Sequence, residues 1–231
     1  MKNTLLISTL AVGTLFGSVA QAELTGNIGA VSKYMFRGGI ENGSATVQGG
    51  IDYSQESGFY AGYWGSGLGY SDEPGADSNG FENDFYAGFG GELGGGAFYD
   101  VGVVAYVYSS GVEGDAVEVQ GTIGYGPASL FVAYGASDAD NGWIESGDIY
   151  FSVNFDYDLP ADFSVSAVAG FMEYDDSTKE SGFRHADITI SHPVGDTGVD
   201  ASLTYVFSGN DELTENQDNQ IFLGFGYGFD I

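Results

Sequence analysis

The chain of 231 residues contains no cysteine, which excludes a disulfide framework, a thiol nucleophile and a cysteine-ligated metal. Basic residues are also scarce, because 5 Lys and Arg stand against 33 Asp and Glu. The net charge of −28 would repel nucleic acid, so we expect no nucleic-acid partner. With only 4 prolines and no Pro-rich linker, the chain is expected to form one domain after its leader.

Long hydrophobic runs are missing beyond the first residues. Lys2 precedes an apolar stretch at 5–16, and Ala20-Gln21-Ala22 follows it. This order predicts a signal peptide over 1–22, since a transmembrane helix needs about 20 apolar residues. Residues 23–231 are then an exported domain that could cross a membrane only with strands.

Aromatic residues and glycine are abundant, and they occur in an alternating pattern. In 147–171, one parity is apolar and the other is mostly polar, which is typical of strands. The apolar members of the first strand in this stretch are Ile149, Phe151, Val153, Phe155, Tyr157 and Leu159. A soluble β-sandwich has the same alternation, so this pattern alone leaves lipid and a protein core both open.

The pattern continues along the chain and predicts twelve strands. Their ranges are 24–36, 45–54, 58–70, 81–92, 97–108, 115–125, 128–137, 148–158, 162–173, 184–192, 198–208 and 218–231. Short turns and longer, acidic loops alternate between them. This rhythm favours an all-β, up-and-down antiparallel transmembrane β-barrel, with short periplasmic turns and longer external loops, over a sandwich.

The last strand is amphipathic and ends the chain. Gly226, Phe229 and Ile231 match the carboxy-terminal assembly signal of outer-membrane proteins, although that signal usually ends on an aromatic residue. We therefore expect a monomer in the outer membrane, with outer-membrane lipid, lipopolysaccharide and the barrel-assembly machinery as partners. Aromatic residues near strand ends predict interfacial girdles. They are Tyr53, Phe59, Tyr60, Trp64, Tyr70, Phe81, Tyr157, Phe163 and Phe207.

The beginning of the exported domain resembles a known family. The matching pieces are S-x-Y-x-F-R-G at 32–38, Q-G-G-x-D-Y at 48–53 and S-G-F-Y-A-G-x-W at 57–64. They are similar to the proteobacterial family of conserved hypothetical proteins described as TorF-type porins. The resemblance implies an outer-membrane barrel that acts as a pore, and it supplies no substrate.

Strand parity places charged residues toward the barrel interior. The candidates for lining a pore are Lys33, Arg37, Asp52, Asp100, Glu118, Asp156 and Asp187, which parity assigns to the interior, and Arg184, which is added to them as a further cation. Lys33, Arg37 and Arg184 would form a basic patch opposite carboxylates, and their field would orient small polar solutes, including cationic or zwitterionic ones. The alternative is an internal salt-bridge ladder that plugs a narrow barrel. A non-conducting surface barrel acting through its acidic loops also remains open.

An enzyme is not expected. His185 and Asp187 share a face, but neighbours two apart on a strand are separated by ~6.6 Å along the backbone. Direct pairing of a base with its carboxylate is therefore predicted to be poor, and His192 lies on the other face. No nucleophile, zinc or phosphate-binding motif occurs, so we predict no catalytic residue, no metal site and no cofactor.

Overall fold

A computed structural model describes residues 22–69, 80–109, 112–140 and 143–231. The predicted signal peptide and Tyr70 lie outside these residues. The strands are β1 (Glu23–Val31), β2 (Tyr34–Phe36), β3 (Gly39–Asn42), β4 (Thr46–Ser54), β5 (Phe59–Gly67), β6 (Phe81–Gly94), β7 (Ala97–Ser109), β8 (Ala116–Tyr125), β9 (Ala128–Gly135), β10 (Ile149–Asp158), β11 (Ser164–Glu173), β12 (Gly182–Pro193), β13 (Val199–Ser208) and β14 (Gln220–Asp230).

Twelve of the strands in the described part of the chain close into one antiparallel barrel. Each strand from β4 to β13 pairs with the next, and β1 closes the circle by pairing with both β4 and β14. The closed sheet therefore leaves no edge strand with a row of unpaired backbone groups. The predicted up-and-down barrel of about twelve strands is confirmed.

The two ends of the barrel differ. At one end, here called the turn end, neighbouring strands are joined by the short connections 55–58, 95–96, 126–127, 159–163 and 194–198. At the other, the loop end, they are joined by the longer connections, including 32–45, 136–148 and 209–219. The described residues contain no helix that is long and apolar enough to span a membrane.

The outer face of the barrel is apolar, as the alternation predicts. The exposed side chains include Phe151, Val153 and Phe155 on β10 and Ile221, Leu223 and Phe225 on β14. These side chains alternate with inward ones because successive residues of a strand point to opposite faces. Exposure of so many large apolar groups is what a surface in contact with lipid requires.

The first predicted strand is too long. It was expected to run through 24–36, with Tyr34 and Phe36 facing outward, but β1 ends at Val31. Residues 34–42 instead form a small β2–β3 hairpin, a sheet of its own that is not part of the barrel wall. Tyr34, Phe36 and Arg37 are all buried, because the hairpin folds into the barrel instead of extending its wall.

Two of the predicted girdle residues also point inward. Tyr60 and Trp64 lie on the same face of β5 as Ser66, which is fully buried, and Tyr60 bonds the interior carboxylate of Asp100. Phe59, Phe81, Phe163 and Phe207 are instead on the outer face. The period-two rule therefore applies to β5, and position near a strand end was a weaker guide than parity.

Candidate functional site

The β2–β3 hairpin turns on two residues with left-handed backbone conformations. Phe36 pairs with Gly39, and the residues between them, Arg37 and Gly38, have φ values of 46° and 82°. Positive φ at both central positions is the requirement of a type I′ hairpin turn. Glycine meets it easily, whereas arginine does so at a cost that the surrounding contacts must offset.

The hairpin crosses the barrel interior near the loop end. Tyr34 packs against Trp64 of β5, with 5.5 Å between ring centroids, and Phe36 packs against Tyr106 of β7 at 5.9 Å. On the opposite side, the Gly38 backbone lies against His185 of β12. The hairpin thus contacts walls on both sides of the barrel.

An apolar cluster surrounds this hairpin and occupies the loop end of the interior. Buried members in the described residues are Val31, Tyr34, Phe36, Leu68, Val104, Tyr106, Val112, Ala116, Ala139 and Ile144. Residues 209–219 pack over the tip of the hairpin, since Leu213 lies against Gly39 and Gln217 Nε2 donates to the Gly38 carbonyl at 2.6 Å. The loop end is therefore filled by packed side chains from the chain itself.

Arg37 fastens the hairpin to the wall. Its two terminal nitrogens donate to the two carboxylate oxygens of Glu118 on β8, both at 2.7 Å. Glu118 also accepts from Tyr106 and from Gln120, each at 2.9 Å. The guanidinium carbon lies 4.4 Å from the ring centroid of Tyr150, a cation–π geometry. Both ions are buried, so their pairing is what makes the burial tolerable.

His185 and Asp187 do pair, contrary to the sequence expectation. His185 Nδ1 lies 2.8 Å from Asp187 Oδ1, and Nε2 lies 2.9 Å from the Tyr150 hydroxyl. The backbone spacing did not prevent this, because side chains on one face can lean along the strand toward each other. The two contacts hold the imidazole ring between Asp187 and Tyr150. The group is buried under the hairpin.

Arg184 reaches the interior through a β-bulge. Gly170 pairs with His185 and Phe171 with Phe183, which leaves Arg184 as the extra residue. A bulge can place consecutive side chains on one face, and Arg184 and His185 are both buried. Arg184 Nε donates to Asp211 at 2.6 Å and Nη2 to the Tyr174 hydroxyl at 2.6 Å. Arg184 thereby anchors residues 209–219 at the loop end of the barrel.

The predicted carboxylates nearer the turn end have no cationic partner in the described residues. Asp52 accepts from Tyr86 and Asn27, Asp100 accepts from Tyr60, and Asp156 accepts from Ser166. Asp52 is half-buried and Asp156 is exposed, so this part of the interior is open to solvent. These donors are neutral, and the negative charge of the wall here is not cancelled.

The predicted residues are therefore not one basic patch. Arg37 bonds Glu118, Arg184 bonds Asp211, and Lys33 Nζ donates to Gln220 at the start of β14. Each of the three cations has its own partner, and two of them fasten loop segments. Nor is there a continuous salt-bridge ladder among the described residues, where the only other ion pairs are Lys179–Glu145 and His185–Asp187. Whether any of these residues lines a permeation path stays a prediction.

Sequence reasoning missed Glu82 and Asp84, two buried acids on the inner face of β6. Both lie behind the hairpin. Their inward position could have been predicted, because they alternate with Phe81, Asn83 and Phe85, which point to the outer face. The described residues contain no cluster of three or more His, Asp or Glu side chains placed to bind a metal. The acids alone therefore do not define a metal centre.

Solved structures with similar folds are outer-membrane barrels. Two structures of the KdgM porin, the second in complex with disordered oligogalacturonate, have TM-scores of 0.60 and 0.58. They are 9% and 10% identical to this chain, and each match covers 89% of it and 99% of the porin. The outer membrane phospholipase of Salmonella typhi has a TM-score of 0.49 at 14% identity, covering 87% of this chain and 88% of that one. The similarity to the porin, at these identities, supports a common fold only.

Among curated proteins, none matches the chain. A family profile, however, matches residues 17–223, which is most of the sequence. It includes the hairpin motif at 32–38, the carboxylates of β4 to β8 and the bulge in β12. The chain belongs to the Gcw_chp family, described as a bacterial protein of unknown function.

Proposed function

We propose that the protein is an outer-membrane channel for small polar solutes that favours cations, and that the β2–β3 hairpin narrows its loop end. The observation that carries this proposal is the surplus of carboxylates on the inner wall. Asp52, Asp100 and Asp156 have only neutral hydrogen-bond donors, while Arg37 and Arg184 are each committed to another acid. A ring of fixed negative charge attracts cations and excludes anions.

The interior is suited to a narrow path. Tyrosine side chains lie along its inner wall over glycines of neighbouring strands, as Tyr60 does at Gly88 and Gly102, and Tyr86 at Gly62. Twelve strands form a barrel between filled eight-stranded ones and the wide sixteen-stranded porins. The proposal therefore concerns small solutes, cationic or zwitterionic, rather than oligomers. We further propose that the protein is a monomer, that it contacts lipid and lipopolysaccharide, and that the barrel-assembly machinery inserts it into the membrane.

Reversal potential in a salt gradient tests the ion preference. The refolded chain in a planar bilayer is expected to pass K⁺ in preference to Cl⁻, and Asp52→Asn/Asp100→Asn is expected to bring the two permeabilities closer together. The matched control is Asp162→Asn/Asp196→Asn, which removes the same charge from exposed turns outside the barrel interior. Anion preference in the wild type would refute the proposal.

The packed hairpin favours a second candidate, a non-conducting surface barrel that acts through its loops. The apolar cluster and the Arg37–Glu118 pair fill the loop end, which is the arrangement expected of a plug. This candidate predicts a membrane-inserted wild-type protein without current. The same bilayer recordings therefore distinguish the two functions.

A further inference from the structure

A pocket of oxygen atoms without partners lies between the hairpin and the inner face of β5–β6. Its members are Tyr34, Ser66, Glu82 and Asp84, which are 3%, 0%, 2% and 0% exposed. Neither carboxylate oxygen of Asp84 has a hydrogen-bond partner, and the same is true of Glu82 Oε2 and Ser66 Oγ. Buried polar groups are nearly always paired, so four such atoms in one place require an explanation.

The sheet register brings these groups together. Glu82 lies directly opposite Ser66, and Asp84 lies opposite Trp64, whose ring packs on Tyr34. Side chains directly opposite on one face of an antiparallel pair have Cβ atoms about 5 Å apart. The Tyr34 hydroxyl, which the hairpin supplies, lies close enough to Glu82 to share a hydrogen bond with it and is within electrostatic reach of Asp84. The two acids and the two hydroxyls therefore converge on one volume.

No positive side chain in the described residues neutralises these acids by direct contact. The field of Arg37 reaches Asp84, but both of its terminal nitrogens are bonded to Glu118. Glu41, on the same hairpin, adds further negative potential at Glu82. Burying two carboxylates with three of their four oxygens unpartnered and no counter-ion in contact is strongly unfavourable. They must either take up protons or share a cation.

We propose that Glu82 and Asp84, with the hydroxyls of Ser66 and Tyr34, bind a calcium ion that ties the hairpin to the wall. The donors are all oxygen atoms, which suits hard cations, and two carboxylates match a charge of two. Calcium accepts irregular geometry and about 6–8 oxygen ligands, so water completes the shell. The hydroxyl of Tyr34 links the ion to the hairpin. This site is independent of whether the barrel conducts.

Terbium luminescence tests the site, because Tb³⁺ replaces Ca²⁺ and is sensitised by nearby aromatic rings. The refolded full chain, freed of metal with EDTA in detergent, is expected to show one saturable Tb³⁺ emission that Ca²⁺ displaces. Trp64→Phe should remove most of the emission excited through tryptophan and leave the affinity unchanged, whereas Trp143→Phe should preserve both. The tryptophan that sensitises the emission therefore shows where the ion lies, independently of the binding affinity.

Removing the acids tests the ligands. Glu82→Gln/Asp84→Asn should weaken binding at least tenfold, about 1.4 kcal/mol. The matched control is Asp138→Asn/Asp140→Asn, an exposed pair with the same spacing and charge, which should bind as the wild type does. Should the double variant fail to fold, Ser66→Ala removes one oxygen with little change of shape and should still weaken binding.

Two outcomes overturn the proposal. One is a wild-type protein without emission that Ca²⁺ displaces, which means that the acids are protonated instead. The other is unchanged affinity in folded Glu82→Gln/Asp84→Asn, which assigns the signal to exposed loops. Terbium binding is measured in detergent and does not depend on ion conduction, so a protein that passes no current can still be tested for the site. If calcium does not bind, the channel proposal is unaffected.

Discussion

At the scale of single residues, Arg37 decides the structure of the barrel interior. It adopts a left-handed backbone conformation that arginine rarely takes, and its guanidinium is buried against Glu118 and Tyr150. Such strain persists only where surrounding contacts determine it. The hairpin conformation and the buried ion pair are therefore coupled, and each depends on the other.

Arg37→Ala is expected to lower the free energy of unfolding by about 3 kcal/mol, because Glu118 would be left buried without its counter-ion. The measurement is the midpoint of denaturant unfolding of the refolded barrel in micelles. Arg37→Met/Glu118→Gln, which removes both charges, should recover much of the loss.

The control for this pair is Lys179→Ala, which breaks the more exposed Lys179–Glu145 bridge. It should change stability by less than about 1 kcal/mol. Equal effects of Arg37→Ala and Lys179→Ala would contradict the role given to the buried pair.

At the scale of elements, most of the wall could be predicted because period two is strong where one face is apolar. The hairpin could not, since the apolar parity resumes at Tyr34 and Phe36 after the single polar residue Ser32 and suggests one long strand. The available signal was the Arg37-Gly38-Gly39 sequence, which is typical of a turn. The inward position of Arg184 depends on a bulge, which simple alternation does not show. The pairing of His185 with Asp187 depends on side-chain direction.

The seam where β14 meets β1 makes a prediction about closure. Gly26 pairs with Phe229, and a Cβ on Gly26 would lie 2.6 Å from the Phe229 ring, which covers this position on the outer face. Gly26→Val should therefore cost about 1–3 kcal/mol by overpacking and reduce the folded fraction. Heat-modifiable mobility on gels measures that fraction.

Gly91→Val is the matched control for the seam. Gly91 is also an outer-face strand glycine opposite an aromatic residue, Tyr99, but its added Cβ would meet that ring at 3.5 Å, an ordinary contact. We expect it to fold as the wild type does. If both valine variants fold equally well, the ring of Phe229 does not constrain closure.

At the scale of the whole molecule, the barrel is asymmetric along its axis. The loop end is filled by the hairpin, by an apolar cluster and by residues 209–219, which Arg184 holds in place through Asp211. The turn end keeps carboxylates with neutral partners, of which Asp52 is half-buried and Asp100 is buried. An open acidic half in series with a packed half predicts a channel whose conductance is limited by the hairpin.

Single-channel recording of the wild type beside a variant with a short Gly-Ser linker in place of residues 33–43 tests this account most directly. The account predicts small cation-selective steps in the wild type and clearly larger steps, with cation preference retained, in the variant. Silence from both proteins, each shown to be folded and inserted, would contradict it and leave the barrel as a non-conducting scaffold.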